Sequence, residues 1–474
     1  MFAVDYEEGY CSPTNNDARI VALFVVLATL CVSSPVIPVA QAQLLRQKSA
    51  VVGSDFDKPY VLVGGQNGAW FGQTQNPRLY KLSLPDYSLS KLTLTPSEGT
   101  VWTGGWNGSE WLISGWGAVG GPSGSNPYLY LYDGERQIVA GSLNQYEAES
   151  SWHGGDVFSV SYNGSEWLLS GLGSGSLVQS LKPSNHMALA KFDGYNFTDL
   201  SPEVPYQMDE ILFTNAWNGH YWLVGGGWEG NTGVLLRYDG VSFTDLSSQL
   251  ESVKRQFDSV QAIQWNGRYW LIGGVGFLAK YDGQEFTDLT AELNATTSPR
   301  HTLNFTLCCN AVNALAWNGA SWLIGGGAPV AVTEPSSAWV VSFDGEKFTD
   351  LSPLIPSYIA NPTQGSSILT ITSVGDSWLF GGYANDRGIL LSYANSTITD
   401  LSYLIAHNVS IVHWAGGWSK MFNANQTDHI RPSSHVGTLI ASKNPITIRS
   451  TVLTDLPTND IIDLPRRTRH EAES

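Results

Sequence analysis

Acidic side chains in the irregular parts of the sequence are the residues with which this chain could cleave a carbohydrate. Glycoside hydrolysis needs two carboxyl groups that flank one bond. Three acids stand in long segments with little apolar periodicity: Glu229, Glu334 and Asp386. They are far apart along the chain, so their distances from one another depend on the fold. They are the candidates for a secreted carbohydrate-active enzyme, although the sequence itself assigns no catalytic residue.

A second set of residues suits recognition rather than catalysis. Aromatic rings beside polar groups bind sugar rings and form hot spots of protein interfaces. Such residues, outside the repeating pattern of the chain, are Trp116, Trp152, His153, Trp228, Glu229, Tyr383, Asp386 and Arg387. For each of them, local packing of a loop is the alternative role.

Metal-ligating residue types are present but lack the spacing of known sites. The histidines near the C-terminal end do not follow a pattern such as HxxxH on a helix: His407, His413, His429 and His435. Cys308 and Cys309 are adjacent, so they cannot form a disulfide framework. We expect two buried or loop thiols there, with a vicinal or intermolecular disulfide as the alternative. The sequence therefore predicts no metal site and no cofactor.

The N-terminal residues resemble an export signal. Ile20 to Val32 are almost wholly apolar, follow Arg19, and precede Ala40-Gln41-Ala42. A short apolar stretch before an A-x-A site is typical of a secretory signal, and about 13 residues are too few for a spanning helix. The acidic residues before it are unusual. We interpret residues 1–42 as a signal peptide, or as an uncleaved membrane anchor, and expect a secreted or extracellular protein.

Eight N-x-S/T sequons fit an exported glycoprotein. They are Asn107, Asn163, Asn196, Asn294, Asn304, Asn395, Asn408 and Asn425.

Composition excludes several classes of protein. The formal net charge is −17, with 25 Lys+Arg against 42 Asp+Glu, so a nucleic-acid partner is not expected. Hydrophobic residues make up 42% of the chain, enough for a large core, and only 14% are charged. The many Gly and Trp residues and the short apolar runs favour an all-β fold.

A repeat dominates the sequence. Its clearest copy, Ser259 to Leu293, reads SVQAIQW-NG-RYWLIGGVG-FLAKY-DG-QEFTDLTAEL. Four short apolar runs are separated by turn signals, and NG and DG are typical of two-residue hairpin turns. The phrases WNG, W-x-x-GG and FTDL recur about every 48 to 56 residues, which is the length of a four-stranded propeller blade.

The repeat predicts an all-β β-propeller of about eight four-stranded blades, with seven as the alternative. Two degenerate copies, Phe56–Gly65 and one that begins at Trp414, bring the count to eight. The propeller would span residues 43–451, and residues 452–474 would form a flexible tail. Because the Trp, Gly-Gly and Asp positions recur in every copy, we predict that they serve packing and turns.

The unit resembles the kelch repeat of galactose-oxidase-like propellers. In that repeat an apolar strand ends in Gly-Gly, a Tyr follows on the third strand, and an aromatic residue opens the fourth. Here these are Gly273-Gly274, Tyr281 and Phe286. The resemblance implies the propeller fold over about 85% of the chain. It does not carry over the copper site of galactose oxidase, since neither Cys308 nor Cys309 aligns with the crosslinked cysteine.

The turns predict where a partner would bind. The first and third turns of each unit are tight, whereas the second turns and the links between units are long and unlike one another. All variable segments therefore fall on one face, where recognition is usual. We expect a recognition module for a glycan or an envelope protein. A carbohydrate-active enzyme and a structural surface scaffold are the alternatives, and a membrane would be contacted only through the N-terminal segment.

Overall fold

The computed structural model describes most of the chain between residues 60 and 418. The described ranges are 60–67, 76–94, 98–117, 126–135, 137–142, 155–175, 184–205, 211–227, 233–253, 259–297, 311–327, 337–363, 365–374, 376–385, 387–405 and 409–418. The predicted signal segment and the predicted tail lie outside them.

Short strands account for most of the described residues, as the apolar runs and turn signals predict. The first eleven are β1 (Tyr60–Asn67), β2 (Asn76–Ser83), β3 (Leu89–Leu92), β4 (Gly99–Trp106), β5 (Trp111–Gly117), β6 (Asn126–Tyr132), β7 (Gln137–Ser142), β8 (Asp156–Tyr162), β9 (Trp167–Gly175), β10 (Ser184–Phe192) and β11 (Phe197–Asp199). The next eight are β12 (Ile211–Trp217), β13 (Trp222–Gly227), β14 (Val234–Tyr238), β15 (Phe243–Asp245), β16 (Val260–Trp265), β17 (Trp270–Gly274), β18 (Phe277–Tyr281) and β19 (Phe286–Asp288). The last nine are β20 (Ala311–Trp317), β21 (Trp322–Gly327), β22 (Trp339–Phe343), β23 (Phe348–Asp350), β24 (Ser366–Val374), β25 (Ser377–Ala384), β26 (Arg387–Ala394), β27 (Thr397–Asp400) and β28 (Ile411–Trp418).

These strands form four-stranded antiparallel sheets, which we call blades. Blade 1 has the order β28-β1-β2-β3, and blades 2 to 7 are consecutive meanders from β4–β7 to β24–β27. The innermost strands contact one another in the cyclic order β28, β4, β8, β12, β16, β20, β24 and back to β28. A closed ring of four-stranded meanders is a β-propeller.

The described residues form seven blades, which is the alternative count of the prediction. The reason is that the first and last predicted copies belong to one sheet. Strand β28 pairs antiparallel with β1, from Tyr60 opposite Trp418 to Gln66 opposite Ile411. The WAGGW sequence of residues 414–418 therefore continues a strand and does not form a hairpin turn. Residues beyond 418, which the eighth copy would need, lie outside the described part of the chain.

The NG and DG turns are held by the side chain of their first residue. Asn266 Oδ1 accepts the backbone N–H groups of Arg268 and Tyr269 at 2.9 and 2.8 Å. Asp282 Oδ1 accepts those of Gln284 and Glu285 at 2.8 and 2.9 Å. The same arrangement recurs at Asn107, Asn163, Asn218, Asn318, Asp193, Asp239 and Asp344. The predicted structural role of these residues is confirmed.

In six of the seven blades a Trp at the start of the second strand is buried between blades, as predicted, and blade 1 has Tyr60 there. Trp270 and Trp322 are fully buried, and Trp111 is 4% exposed. The indole N–H of Trp270 donates to Tyr221 Oη at 3.2 Å, and that of Trp322 donates to Tyr269 Oη at 3.0 Å. Each bond joins two neighbouring blades. The Trp residues therefore fix how one blade packs on the next.

The fourth strand of a blade is fastened by the FTDL motif together with the residue that follows it. In blade 5, Asp288 Oδ1 accepts the N–H of Thr290 at 2.9 Å, and Thr290 Oγ1 accepts the N–H of Leu278 at 3.1 Å. Serine takes the place of Thr290 in four other blades: Ser201, Ser247, Ser352 and Ser402. The Ser or Thr side chain therefore ties the exit of the fourth strand to the third strand.

Short helical turns follow several of these motifs. They are α-helical at Ser247–Val253, Thr290–Thr296 and Ser357–Ala360, and 3₁₀ at Ser201–Glu203, Ser352–Leu354 and Ser402–Leu404. Among the described residues, no helix has the length and apolar character to cross a membrane.

Candidate functional site

Every innermost strand contains a β-bulge at the same register, and the bulge residues form a ring. In β4, for example, Val101 pairs with Gly115 and Thr103 pairs with Ser114, so Trp102 is the extra residue. The seven bulge residues are Trp102, Phe158, Phe213, Gln261, Asn313, Leu369 and His413. All seven are partly exposed. Bulges redirect side chains and are common next to functional sites.

The second Gly of each Gly-Gly or Ser-Gly pair makes the bulge possible. A Cβ on Gly226 would lie 1.9 Å from the carbonyl oxygen of Ile211, and one on Gly274 would lie 1.9 Å from that of Ser259. The same close approach to a backbone carbonyl occurs at Gly65, Gly115, Gly171, Gly326 and Gly382. The glycines that the sequence presents as packing residues therefore also place one residue per blade at the ring.

Four consecutive bulge residues form an aromatic arc, which we define as His413, Trp102, Phe158 and Phe213. Ring centroids are 4.2 Å apart between His413 and Trp102, and 5.1 Å apart between Trp102 and Phe158. Phe158 and Phe213 follow at 5.7 Å. Because each residue comes from a different blade, the arc spans four innermost strands.

The other half of the ring is mostly polar. Gln261 donates from Nε2 to Ser259 Oγ at 2.7 Å, and Asn313 donates from Nδ2 to Ser367 Oγ at 2.9 Å. Leu369 completes the ring. The arc of aromatic faces thus stands opposite two amide groups that are fixed by hydrogen bonds, an asymmetric arrangement typical of a binding site rather than of a repeated packing position.

His413 is neutral at physiological pH. Burial lowers its pKa to about 3, since the charged imidazolium would lose its hydration. Its Nε2 lies 3.4 Å from Gln66 Oε1, and Thr100 Oγ1 donates to the same oxygen at 2.7 Å. Gln66 thereby links a bulge residue of blade 1 to the first residues of the innermost strand of blade 2.

Asp156 occupies in blade 3 the position that Thr100 occupies in blade 2, two residues before the bulge. Burial raises its pKa to about 7, yet the residue keeps partial exposure. Burial is the main reason why the pKa of Tyr128 is raised well above its usual value, and the charges of Tyr130 and Asp156 add to it. The Tyr128 hydroxyl donates to the carbonyl of Thr100 at 2.8 Å.

Asp156 is the sole Asp, Glu, Lys or Arg in the seven innermost strands. The strands that pack against β8 are β4, β5, β6, β9 and β12, and their titratable groups are Tyr128, Tyr130 and Tyr132. No described residue forms an ion pair with Asp156. Asp156 is therefore the one acidic group of the seven described innermost strands, and its strand also carries Phe158 of the aromatic arc.

Three of the predicted binding residues are described, and all three lie on strands rather than in loops. Trp116 pairs with Thr100 and Pro127, Tyr383 pairs with Ser367 and Gly388, and Arg387 pairs with Ala384. The expectation of loop positions is wrong because strand pairing continues beyond the Gly-Gly pair. Trp116 is partly exposed and Arg387 is exposed, but Tyr383 is buried at 6% exposure.

The strand register gives Trp116 a counterpart in blade 1. It holds in blade 2 the register position of Gln66 in blade 1, since each pairs with the residue two before the bulge. Gln66 contacts His413 of its own blade and Thr100 of the next. At the corresponding register positions around Trp116 stand Trp102 and Asp156.

The remaining predicted site residues lie outside the described part of the chain. They are Trp152, His153, Trp228, Glu229, Asp386 and Glu334. Cys308 and Cys309 also lie outside the described residues. Within the described residues, no group of three or more His, Cys, Asp or Glu side chains is placed to hold a metal ion.

Five of the eight sequons are described. Asn196 and Asn395 are exposed, and Asn107, Asn163 and Asn294 are partly exposed. Asn107 and Asn163 also hold the first turns of their blades through Oδ1. Asn304, Asn408 and Asn425 lie outside the described residues.

The ring residues are the part of the site that the sequence analysis missed. Five of the seven stand four residues before the aromatic residue of the first turn, as Trp102 does before Trp106 and Gln261 before Trp265. Residue type at this position changes from Trp to Phe, Gln and Asn although its neighbours repeat. A variable position at a fixed register within a repeat is the signal that could have indicated the ring.

Comparisons with known proteins give no family. No protein-family model and no curated protein matches the sequence. Among solved structures, TolB from Acinetobacter baumannii is 10% identical over 76% of this chain and 67% of its own, with a TM-score of 0.38. The β-propeller domain of the Trilobed protease from Pyrococcus furiosus is 11% identical over 73% of this chain and 95% of its own, with a TM-score of 0.41. YCF48 bound to D1 peptide is 12% identical over 68% of this chain and 86% of its own, with a TM-score of 0.39. The assignment of the fold rests on the strand pairing of this chain.

Proposed function

We propose that the chain is a secreted or cell-surface β-propeller, related to the kelch type, that acts as a protein-interaction module. Its partner is a surface or envelope protein, bound at the end of the ring where the second turns and the links between blades lie. The observation that supports this proposal is the aromatic arc, in which one ring from each of four blades contacts the next.

Charge complementarity favours a basic segment of a protein over a neutral glycan. The chain carries 42 acidic against 25 basic residues. A negative protein field attracts positively charged partners and repels acidic ones. Glycan binding, the other expectation from the sequence, is therefore an outcome of the test rather than part of the proposal.

The alternative function, that of a carbohydrate-active enzyme, depends on Glu229, Glu334 and Asp386, which lie outside the described residues. No observation within the described residues favours this reaction. The proposal therefore assigns recognition alone.

The test is a binding screen of residues 43–474 against cell-envelope proteins and a glycan array. We expect captured envelope proteins to be released by raised salt and lost with Trp116→Ala. The matched control is Val241→Ala, because Val241 is exposed and lies in a third turn, at the other end of the ring. Binding to glycans alone, or equal capture by Trp116→Ala, would contradict the proposal.

A further inference from the structure

We infer that asparagine side chains at one end of the ring carry N-linked oligosaccharides in the exported protein, namely those of Asn107, Asn163, Asn196 and Asn395. We call this end, which holds the first and third turns of the blades, the turn end. The inference rests on the export that the proposed function includes, because such oligosaccharides are attached to exported chains. It places a modification at the end of the ring opposite the proposed partner.

All of these asparagines stand in tight turns of their blades. Asn107 lies between β4 and β5, and Asn163 lies between β8 and β9, so both are in first turns. Asn196 lies between β10 and β11, and Asn395 between β26 and β27, so both are in third turns. Because successive strands of a blade are antiparallel, its first and third turns share one end.

The innermost strands run in the same direction, so the turns of different blades meet at that end. Trp102 and Phe158, the bulge residues of β4 and β8, have ring centroids 5.1 Å apart. Farther along the same two strands, a Cβ on Gly105 would lie 3.1 Å from Val160 Cγ2. Two contacts in the same order along both strands show that the strands are parallel. The turns that follow them therefore lie on neighbouring blades at the turn end.

The side chains are accessible to solvent in the folded chain. Asn196 and Asn395 are exposed, and Asn107 and Asn163 are partly exposed. Beside Asn107, a Cβ on Gly108 would meet no atom within 4 Å, so the space around this turn is open. An oligosaccharide is bulky and needs such a surface.

The first turns do not need the amide nitrogen to which the sugar is attached. Asn107 Oδ1 accepts the backbone N–H groups of Ser109 and Glu110 at 2.9 and 2.8 Å, and the hydroxyl of Ser109 at 3.0 Å. Asn163 Oδ1 accepts the three equivalent groups in blade 3. The hydrogen bonds between these two side chains and the described residues all end on Oδ1. Substitution of Nδ2 therefore breaks none of them.

The asparagines of the third turns also tolerate a sugar. Asn196 Nδ2 donates to Asp193 Oδ2 at 3.1 Å, and a substituted amide keeps one N–H for this bond. Asn395 has a φ of 50°, in the left-handed region that asparagine adopts more readily than most residues. Its side chain forms no hydrogen bond with a described residue. Neither turn is opened by a substituent on Nδ2.

The sugar comes from an oligosaccharide linked to a lipid pyrophosphate. A bond forms between Nδ2 and C1 of the first sugar, and the bond between C1 and the pyrophosphate oxygen breaks. The lipid pyrophosphate leaves with the electron pair, and Nδ2 gives up one proton. Because the amide keeps its carbonyl oxygen, Asn107 still closes its turn after the transfer.

The fifth described sequon differs from these. Asn294 lies in the helix Thr290–Thr296, within the link that follows β19. The hydroxyl of its sequon residue, Thr296, donates to the carbonyl of Glu292 at 3.1 Å and not to Asn294. The modification is therefore assigned to the turn end alone.

The experiment is peptide mapping of the full chain, expressed in cultured eukaryotic cells and recovered from their medium. Peptide N-glycosidase in heavy-oxygen water converts each glycosylated asparagine to a labelled aspartate, which mass spectrometry locates. We expect the label at Asn107, Asn163, Asn196 and Asn395. The conversion should leave the first turns closed, because Asp282 accepts the backbone N–H groups of its own turn in the same way.

Matched variants use the residues that other blades carry at the same turn. Ser109→Ala removes a sequon and gives the Asn-Gly-Ala turn of blade 6, where Asn318 Oδ1 accepts the N–H of Ala320 at 2.9 Å. Asn196→Ser copies Ser242, which closes the third turn of blade 4. Each variant should lose one oligosaccharide on gel electrophoresis. After enzymatic deglycosylation, each should unfold at the same temperature as the natural chain treated alike.

The reverse change creates a site in a turn of the same geometry. Ala320→Ser gives blade 6 the Asn-Gly-Ser sequence of blades 2 and 3, and it should add one oligosaccharide at Asn318. Ala320→Gly creates no sequon and should add none. An unchanged mobility of Ala320→Ser on gels would contradict the inference that the turn end accepts oligosaccharides.

A second chain separates the modification from export. In it, an established secretory leader replaces residues 1–42. If the label occurs in this chain but the natural chain stays in the cytosol, the modification sites are supported and export by residues 1–42 is contradicted. If this chain reaches the medium with all of the turn-end asparagines unlabelled, the inference is overturned, and the proposed protein interaction is left intact.

Discussion

At the scale of single residues, His413 makes the stability of the propeller sensitive to acid. The folded-state pKa of about 3 lies below the ordinary value of 6.5 for an unfolded chain. The stability that follows from this difference is present above pH 6.5, and it is lost as the pH falls toward 3 because the unfolded chain binds the proton first.

We predict that His413→Gln removes this dependence. Glutamine fits the position, since Gln261 occupies the same bulge in β16. The free energy of unfolding of the natural chain should fall, relative to that of the variant, by up to about 1.4 kcal/mol per pH unit between pH 6.5 and 3. Denaturant titrations at pH 7, 5 and 4 measure the difference. His220→Gln, at an exposed turn, is the control. Parallel pH profiles for the natural chain and His413→Gln would show that the pKa of His413 is not lowered in the folded chain.

At the scale of elements, the two residues of a Gly-Gly pair pack against different neighbours, and this difference can be measured. In blade 4, a Cβ on Gly225 would lie 2.4 Å from Val260 Cγ1 of the next blade, whereas a Cβ on Gly226 would meet the backbone of β12. A side chain can be shortened, but a backbone carbonyl cannot.

We predict that Gly225→Ala destabilises the chain by about 1–3 kcal/mol and that Val260→Ala partly rescues it. Gly226→Ala should cost at least as much and should not be rescued by Val260→Ala. Thermal unfolding of the single and double variants gives the coupling energies. Rescue of both glycine variants to the same extent would contradict the distinction between the two positions.

The Ser or Thr after FTDL provides a second prediction for an element. Thr290→Val keeps the shape of the side chain but leaves the N–H of Leu278 without its acceptor, so we expect a loss of about 1–3 kcal/mol. Thr287→Val, on the exposed face of β19, is the matched control and should be nearly neutral. The comparison is made by denaturant unfolding at constant pH. An equal loss in both variants would argue for a strand propensity effect instead of the hydrogen bond.

The elements were largely predictable from the sequence, whereas the ring was not. The NG and DG turns, the buried Trp residues and the FTDL motif repeat, so their positions follow from local patterns. The ring consists of bulge residues, and a bulge can be located only when the pairing register of two strands is known. The presence of Gly226 in the sequence does not indicate that Phe213 is the bulge residue of the neighbouring strand. Trp116 was found by its residue type but placed in a loop, because the sequence does not show how far pairing continues.

At the scale of the whole molecule, ring closure depends on β28. Its pairing with β1 joins strands that are more than 340 residues apart, which no local sequence pattern indicates. The count of blades therefore could not be settled from the repeat, because one blade is divided between the two ends of the described chain.

We predict that a chain ending at Ser410 fails to fold cooperatively, because β1 then has an open edge toward the centre of the ring. A chain ending at Trp418 keeps β28, and its seven described sheets should unfold in a single cooperative transition. Calorimetry and size-exclusion chromatography of the two truncated chains make the comparison. Equal loss of folding in both would indicate that residues after Trp418 belong to the ring.

The division of blade 1 also determines when the protein can finish folding during its synthesis. Blades 2 to 7 are each built from one continuous stretch, so they can form in turn as the ribosome advances. Strand β1 is made long before β28, so its inner edge stays unpaired until Ile411–Trp418 has emerged. Throughout that interval the edge can pair with a strand of a neighbouring nascent chain instead.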